Sequence, residues 1–237
     1  PEFTHRVAKR VARHIPSLPI VDYVLPSVWA WRQGRARAMT KYISRVLALL
    51  PFEPAFLKNV GPDCVYVGHP ALDRLPEPGS GVHFRHALGM TRNEPLLLVV
   101  EDEGEKRAAF DAATAALAAS GTVSLELALA RVPMVVAYRS EALVGWFALA
   151  VLKVPSVVLV NLVLDRPSVR EYLQTQCTAD RLADGIAPLL RDTPERKRAL
   201  ADLDEFRARM DVDGEPPRRR AARAVLDVLD GAKGPTA

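Results

Sequence analysis

Apolar and polar positions along this 237-residue chain switch repeatedly between a helical period and short apolar runs. Residues 4–14 carry Arg6, Lys9, Arg10 and Arg13 at helical spacing, which predicts a basic helix; Ile20-Val21-Asp22-Tyr23-Val24 then reads as a strand. The pattern repeats with a helix over Arg35–Tyr42, a strand at Val46–Leu50, a short helix after Pro51-Phe52-Glu53-Pro54, and a strand at Cys64-Val65-Tyr66-Val67 that ends in Gly68-His69-Pro70. Strands separated by helices imply parallel pairing, because a parallel crossover needs a helix to return the chain. The fold class expected is therefore α/β.

Leu75–Gly81 (LPEPGSG) concentrates Pro and Gly and marks a domain boundary, so residues 1–75 form a first unit, 76–214 a second, and 215–237 a C-terminal helix and tail. The second unit opens on a strand at Leu96–Val100, passes the charged Glu101–Lys106 stretch, and continues with an Ala-rich helix before Ser120. Glu215-Pro216-Pro217 leads into a last amphipathic helix over Ala221–Leu229. Ala142–Leu164 is apolar enough to be tested as a membrane span, but Lys153, Pro155 and Asn161 divide it. It reads as a helix, a turn and a buried strand at Ser156–Val160, with Trp146, Phe147 and Leu152 either packed in the core or dipping into a bilayer surface.

The stretch with the most chemical content is Ala119-Ser120-Gly121-Thr122, followed by an apolar helix and then by Pro133-Met134-Val135-Val136-Ala137-Tyr138-Arg139. A turn of small residues lets backbone N–H groups approach a diphosphate, and the helix start adds the positive end of its dipole. Glu126, on the helix's first turns, is placed to hydrogen-bond a ribose. The same residues also make an ordinary helix cap with a surface carboxylate, and the two readings stay open on these residues alone.

Composition adds less. The 49% hydrophobic and 25% charged residues are ordinary for a globular chain, and the net charge of +4 favours anionic partners without naming nucleic acid. Its distribution is more telling, since Arg6, Lys9, Arg10, Arg13, Arg32, Arg35, Arg37, Lys41 and Arg45 concentrate one sign early, suiting an anionic membrane surface, a phosphorylated substrate or simply a solvated helix face. Cys64 and Cys177 lie far apart without a C-x-x-C, so neither a disulfide framework nor a metal site is indicated and a reducing cytosol is the default. The start at Pro1 without Met or an apolar leader reads as the start of a fragment. No nucleophile triad, H-E-x-x-H, P-loop or G-x-G-x-x-G pattern is present, which removes the commonest hydrolase, metalloprotease and dinucleotide readings.

Four further candidates remain. His69 lies at a strand end. The segment Pro26-Ser27-Val28-Trp29-Ala30-Trp31-Arg32 brings two indoles together either as a groove for sugar or acyl chains or as buried anchors. Asn161, expected at a strand end, and Gln174, expected on the helix beyond, offer neutral donors to phosphate or sugar hydroxyls.

Taken together, Pro26–Arg32, Leu50-Pro51-Phe52-Glu53, Gly68-His69-Pro70, Ala119–Thr122 with Glu126, Pro133–Arg139 and Asn161-Leu162 occur in the order and spacing of one family: the chain closely resembles lipid-A-disaccharide synthase. Leu25 and Val160 depart from the family's usual Ser and Pro. The resemblance implies a GT-B glycosyltransferase with two Rossmann-like parallel-sheet domains, both incomplete here. It implies transfer of 2,3-diacylglucosamine from UDP to the 6-hydroxyl of 2,3-diacylglucosamine 1-phosphate, inverting and without metal or cofactor, at the cytoplasmic face of a Gram-negative inner membrane, with a homo-oligomer possible and no nucleic-acid partner. On that resemblance Ser120, Gly121, Thr122 and Glu126 hold the nucleotide, Asn161 and Gln174 the donor phosphate or sugar, Ser27, Trp29, Trp31 and Arg32 face the acceptor, and His69 lies at the hinge.

Two differences lead to an expectation of weak or absent turnover. The family's proposed general base lies ahead of the position matched by Pro1. The family's Gly-Ser-Arg turn and the elements after it have no counterpart where Val99-Val100-Glu101 runs almost directly into Glu105-Lys106-Arg107. A βαβ unit takes about 30 residues, so such a shortening removes strands as well as a loop. Other readings stay beside this one: another GT-B enzyme acting on a UDP-sugar, or a non-catalytic remnant that binds nucleotide or lipid.

Overall fold

The computed structural model describes residues 2–25, 27–30, 34–77, 79–100, 107–139, 154–211 and 214–232. These divide into two units, one made of Pro1–Asp73 with Met210–Ala237 and the other of Arg74–Arg209.

Unit 1 begins with α1 (Glu2–His14), which stops where Pro16 forces Ile15 out of helical geometry. Strands β1 (Val21–Tyr23), β2 (Arg45–Ala48) and β3 (Asp63–Tyr66) pair in parallel in the order β1-β2-β3, linked by α2 (Gly34–Met39) and α3 (Glu53–Leu57). The central strand β2 is covered on both sides, as parallel sheets require. Val46 joins Leu25, Val28, Ala36, Met39, Ile43 and Leu57, while its neighbour Leu47 packs with Val67 and Ala224 on the other face. Ala224 belongs to the C-terminal helix Pro217–Ala232, which therefore completes this core instead of trailing as a separate tail. Gly68, at φ 89, lets the ring of Pro217 come close enough that a Cβ would sit 3.1 Å from it. Tyr66 donates to the Met210 carbonyl and accepts at its own carbonyl from Arg220, tying the same helix to β3.

Unit 2 opens with α4 (Ser80–Ala87), so the end of the Pro/Gly-rich stretch is already folded, with the Gly81 N–H donating to Asp111 at 2.7 Å. Four parallel strands follow in sequential order: β4 (Leu97–Val100), β5 (Ala115–Ala119), β6 (Met134–Tyr138) and β7 (Arg170–Leu173). Between them lie α5 (Arg107–Ala112), α6 (Thr122–Leu129) and α7 (Leu159–Leu164), and after them α8 (Ala179–Ile186) and α9 (Pro194–Met210).

Two expectations change. The Ala-rich segment before Ser120 is a helix only to Ala112; Ala115–Ala119 is a central strand, because pairing on both sides and near-complete burial override the helical preference of Ala. The valine run before Asn161 is not a strand, since Val158 is extended but Leu159–Leu164 is helical and packs against α6. Each error is one of local preference against tertiary context. The segment 142–153, including Trp146, Phe147 and Leu152, lies outside the described residues.

Candidate nucleotide site

At Ala119 the chain leaves the sheet of unit 2 and turns through Ser120 and Gly121 into α6. Gly121 has φ 145 and ψ −159, a region that side chains make costly, and nothing lies within 4 Å of where a Cβ would project. The strain, and not a neighbour, is what reserves this position for glycine. Ser120 Oγ donates to the Val157 carbonyl at 3.3 Å and Ser124 Oγ to the Gly121 carbonyl at 2.7 Å, so both hydroxyls are turned to other work and α6 begins with no side-chain cap. The Ser-Gly-Thr turn therefore makes no side-chain cap at this helix start. An uncapped helix start presents N–H groups and the positive end of the dipole to an anion, worth about 0.3–1 kcal/mol, and up to about 2 where partly buried.

Glu126 is half-buried one turn farther along, on the face of α6 that carries Thr122 at i−4. A hydroxyl and a carboxylate thus follow the backbone donors in a row leading away from the sheet edge.

The other candidates of this unit gather at the same carboxyl edge, where open α/β sheets bind ligands. Ser120 holds the Val157 carbonyl, and the Val157 N–H donates to Glu171 of β7 at 3.1 Å, so residues 156–158 are stitched across the strand ends. Gln174 leaves the end of β7 with φ 49, two strand positions from β5, on the order of 10 Å away given strand spacings of about 4.8 Å. It is the first residue of the short 3₁₀ helix Gln174–Gln176 that follows β7. Asn161 differs more. It lies inside α7, only 4% exposed, with Nδ2 donating to Ser156 Oγ (3.2 Å) and the Val169 carbonyl (2.9 Å) while Oδ1 accepts from the Val169 N–H (2.8 Å). Its amide braces the 156–158 segment from behind; the expected projection from a strand end is not found, because the strand itself is a helix.

In unit 1 the Trp29 indole is an anchor. Its Nε1–H donates to Glu53 Oε1 at 3.0 Å and its ring meets Phe52 edge-on at 5.3 Å between centroids. Glu53 Oε2 accepts from the N–H groups of Leu49 (3.0 Å) and Leu50 (2.9 Å). Burial, with 3% of the residue exposed, pushes the Glu53 carboxyl above its ordinary value, and the three donors pull it back. Sequence reasoning quoted Glu53 without giving it a role; its signal was a charged residue set among Leu50, Pro51 and Phe52. Ser27 is exposed on the turn that Trp29 holds, with its carbonyl accepting from the Ala30 N–H. Trp31 and Arg32 lie outside the described residues. His69 Nδ1 accepts the Ala71 N–H at 3.1 Å, which opens the short 3₁₀ turn Pro70–Arg74 where the two units part. Among the described residues no group of three or more His, Cys, Asp or Glu is arranged to hold a metal, and burial pushes the Cys64 thiol up to about 12, leaving it unreactive.

The family model described as Lipid-A-disaccharide synthetase matches residues 1–101 and 93–225. The chain belongs to the lipid-A-disaccharide synthase family. Lipid-A-disaccharide synthases of Nitrobacter hamburgensis and Nitrobacter winogradskyi are 40% and 41% identical to it, over 99% and 97% of this chain and 74% and 72% of their own lengths. That of Rhodospirillum centenum is 36% identical over 97% of this chain and 71% of its own. The family assignment makes this chain a lipid-A-disaccharide synthase-type glycosyltransferase, and its two parallel sheets agree with the GT-B expectation.

The internal difference has a counterpart in these matches. The alignment with the Nitrobacter hamburgensis enzyme runs over 292 positions, more than the 237 residues this chain has, so that relative carries residues opposite gaps here. The two family matches meet at 93–101, at the junction where the shortening was expected.

Proposed function

We propose that the uncapped start of α6 binds the diphosphate of a UDP-linked 2,3-diacylglucosamine, Glu126 its ribose, and Gln174 the donor phosphate or sugar, for transfer to 2,3-diacylglucosamine 1-phosphate in a β-1,6 linkage. The observation that carries this reading is the turn itself: a glycine in a conformation reserved for glycine, followed by a helix start whose neighbouring hydroxyls bond elsewhere. In the transfer the sugar's anomeric carbon gains a bond to the acceptor oxygen and loses its bond to the diphosphate, which leaves with the electron pair as UDP. Backbone donors aimed at that diphosphate stabilise the charge as it develops. Inversion also needs a base at the acceptor hydroxyl. None of the described residues is assigned that role. Asn161 acts on the donor only by holding residues 156–158 in place. The turn carrying Ser27, clamped through Trp29 and Glu53, faces the acceptor together with Trp31 and Arg32, His69 acts at the hinge, and the chemistry proceeds without metal. The basic early segment brings the chain to the anionic cytoplasmic surface of the inner membrane; among the described residues no helix is long and apolar enough to cross it.

Calorimetric titration with UDP tests the nucleotide part. Saturable binding that weakens about tenfold in Glu126→Ala supports it, and undiminished binding in that variant removes Glu126 from the site.

A second reading is favoured by the shortened junction near residues 93–101: nucleotide binding retained with little turnover. UDP release from diacylated donor and acceptor separates the two, since the remnant reading requires binding without release.

A further inference from the structure

The basic residues of α1 and α2, left unexplained by the nucleotide site, converge on a cavity of about 150 Å³ lined by His5, Arg6, Lys9, Arg35, Met39 and Tyr42. That is several times the ~30 Å³ share of one water, enough for a phosphate group and part of what it is attached to. Arg6 and Lys9 have no carboxylate within ion-pair distance among the described residues; Lys9 Nζ instead sits 5.1 Å from the centre of the Tyr42 ring. The inner wall is organised rather than loose. His5 Nδ1 is 3.1 Å from the Tyr42 hydroxyl, its Nε2 is 3.5 Å from Asp22 Oδ2, and the two rings meet edge-on at 5.8 Å. The His5–Tyr42 contact holds the imidazole and the phenol together at the inner wall, with the Asp22 carboxylate behind the imidazole. Burial is the largest influence on His5 and holds the imidazole below its ordinary pKa, so it stays neutral behind the cationic rim.

We propose that this cavity is a phosphomonoester-binding site, in which Arg6 and Lys9 hold the phosphate oxygens, Arg35 adds positive charge to the same rim, and His5 and Tyr42 shape the wall behind them. Three cations on one small concave surface, with a hydroxyl and an imidazole between them, suit a doubly charged phosphate better than a carboxylate or a diffuse anionic surface. The cavity lies wholly in unit 1, so the inference stands apart from the nucleotide reading.

The test is calorimetric titration of the full chain with glucosamine 1-phosphate and with inorganic phosphate, and co-sedimentation with phosphatidylcholine vesicles with and without phosphatidic acid. The expected result is saturable binding of at least one phosphomonoester, weakened about tenfold or more in Arg6→Ala/Lys9→Ala and unchanged in Arg10→Ala/Arg13→Ala, whose side chains do not line the cavity. Binding of the soluble sugar phosphate assigns the site to a substrate phosphate, of free phosphate alone to the inorganic ion, and of phosphatidic acid vesicles alone to a lipid headgroup; each supports the site. Equal losses in both double variants would show only diffuse charge attraction and overturn it, as would no saturable binding of any probe. Movement of the His5 imidazole resonances on titration, in protein whose melting temperature matches the variants', provides a readout independent of folding.

Discussion

The two strand-to-helix turns that carry the candidate chemistry treat their polar groups in opposite ways. In unit 1 the turn with Trp29 is closed: one buried carboxylate, Glu53, accepts the indole N–H and two backbone N–H groups. In unit 2 the Ser120–Thr122 turn is open, its hydroxyl bonded to Val157 and the helix behind it uncapped. A turn whose donors are consumed by its own chain contributes shape and rigidity. One that makes no side-chain cap leaves its first helical N–H groups without a side-chain acceptor, at the expense of local stability.

The largest effect is expected on the closed side. Glu53→Ala leaves three buried donors without an acceptor and should lower the unfolding free energy by about 3 kcal/mol in urea titrations, against a much smaller loss for Glu126→Ala. Similar losses in the two would erase the contrast. Gly121→Ala should come next, at about 1–3 kcal/mol from backbone strain alone, because no neighbour obstructs a Cβ. The same change should weaken UDP by more than its effect on stability explains; a stable variant with native UDP affinity would show that the turn's conformation is not used. Glu126→Gln should cost about 1.4 kcal/mol of UDP affinity, read by calorimetry, while leaving the melting temperature nearly unchanged.

The pH dependence sharpens the contrast in another way. The lowered His5 pKa means that the unfolded chain binds the proton more readily, so stability is full above the ordinary value of 6.5 and falls as pH drops toward the folded value. Urea midpoints from about pH 7.5 to about 5.5 should decline in the native chain, by no more than about 1.4 kcal/mol per pH unit, and decline less in His5→Asn. A raised Asp22 pKa works in the opposite direction at lower pH, since the folded state then binds the extra proton. The smallest effect should be that of Ser120→Ala, about 0.5 kcal/mol or less, because its one bond is long and only partly buried.

Much of the molecule was legible beforehand. The helix over residues 4–14, the strands at β1 to β3 and the order turn, helix, strand across residues 119–138 follow from period and from turn residues, signals that depend on near neighbours. The errors share a cause. Ala115–Ala119 and the valines before Asn161 were assigned from local preference, and each took the other state because a central sheet position or a packed helix face outweighed it. The glycine turn and helix that carry Ser120, Gly121, Thr122 and Glu126 follow from spacing, whereas the internal use of Asn161 and the hydrogen-bonding role of Glu53 do not. Their partners, Val169 for one and Trp29 for the other, are set by the fold, and nothing in either residue's immediate sequence announces them.

The sequence by itself determined the α/β alternation, the family and the small-residue turn ahead of α6. These depend on residue type and spacing, which survive without three-dimensional knowledge. Only the tertiary structure decided which polar side chains are spent internally and which are left to a ligand. A hydrogen bond satisfies one partner at a time, and that choice is made by segments brought together from distant parts of the chain. The same holds for His5 and Tyr42, far apart in sequence and brought together in one cavity wall.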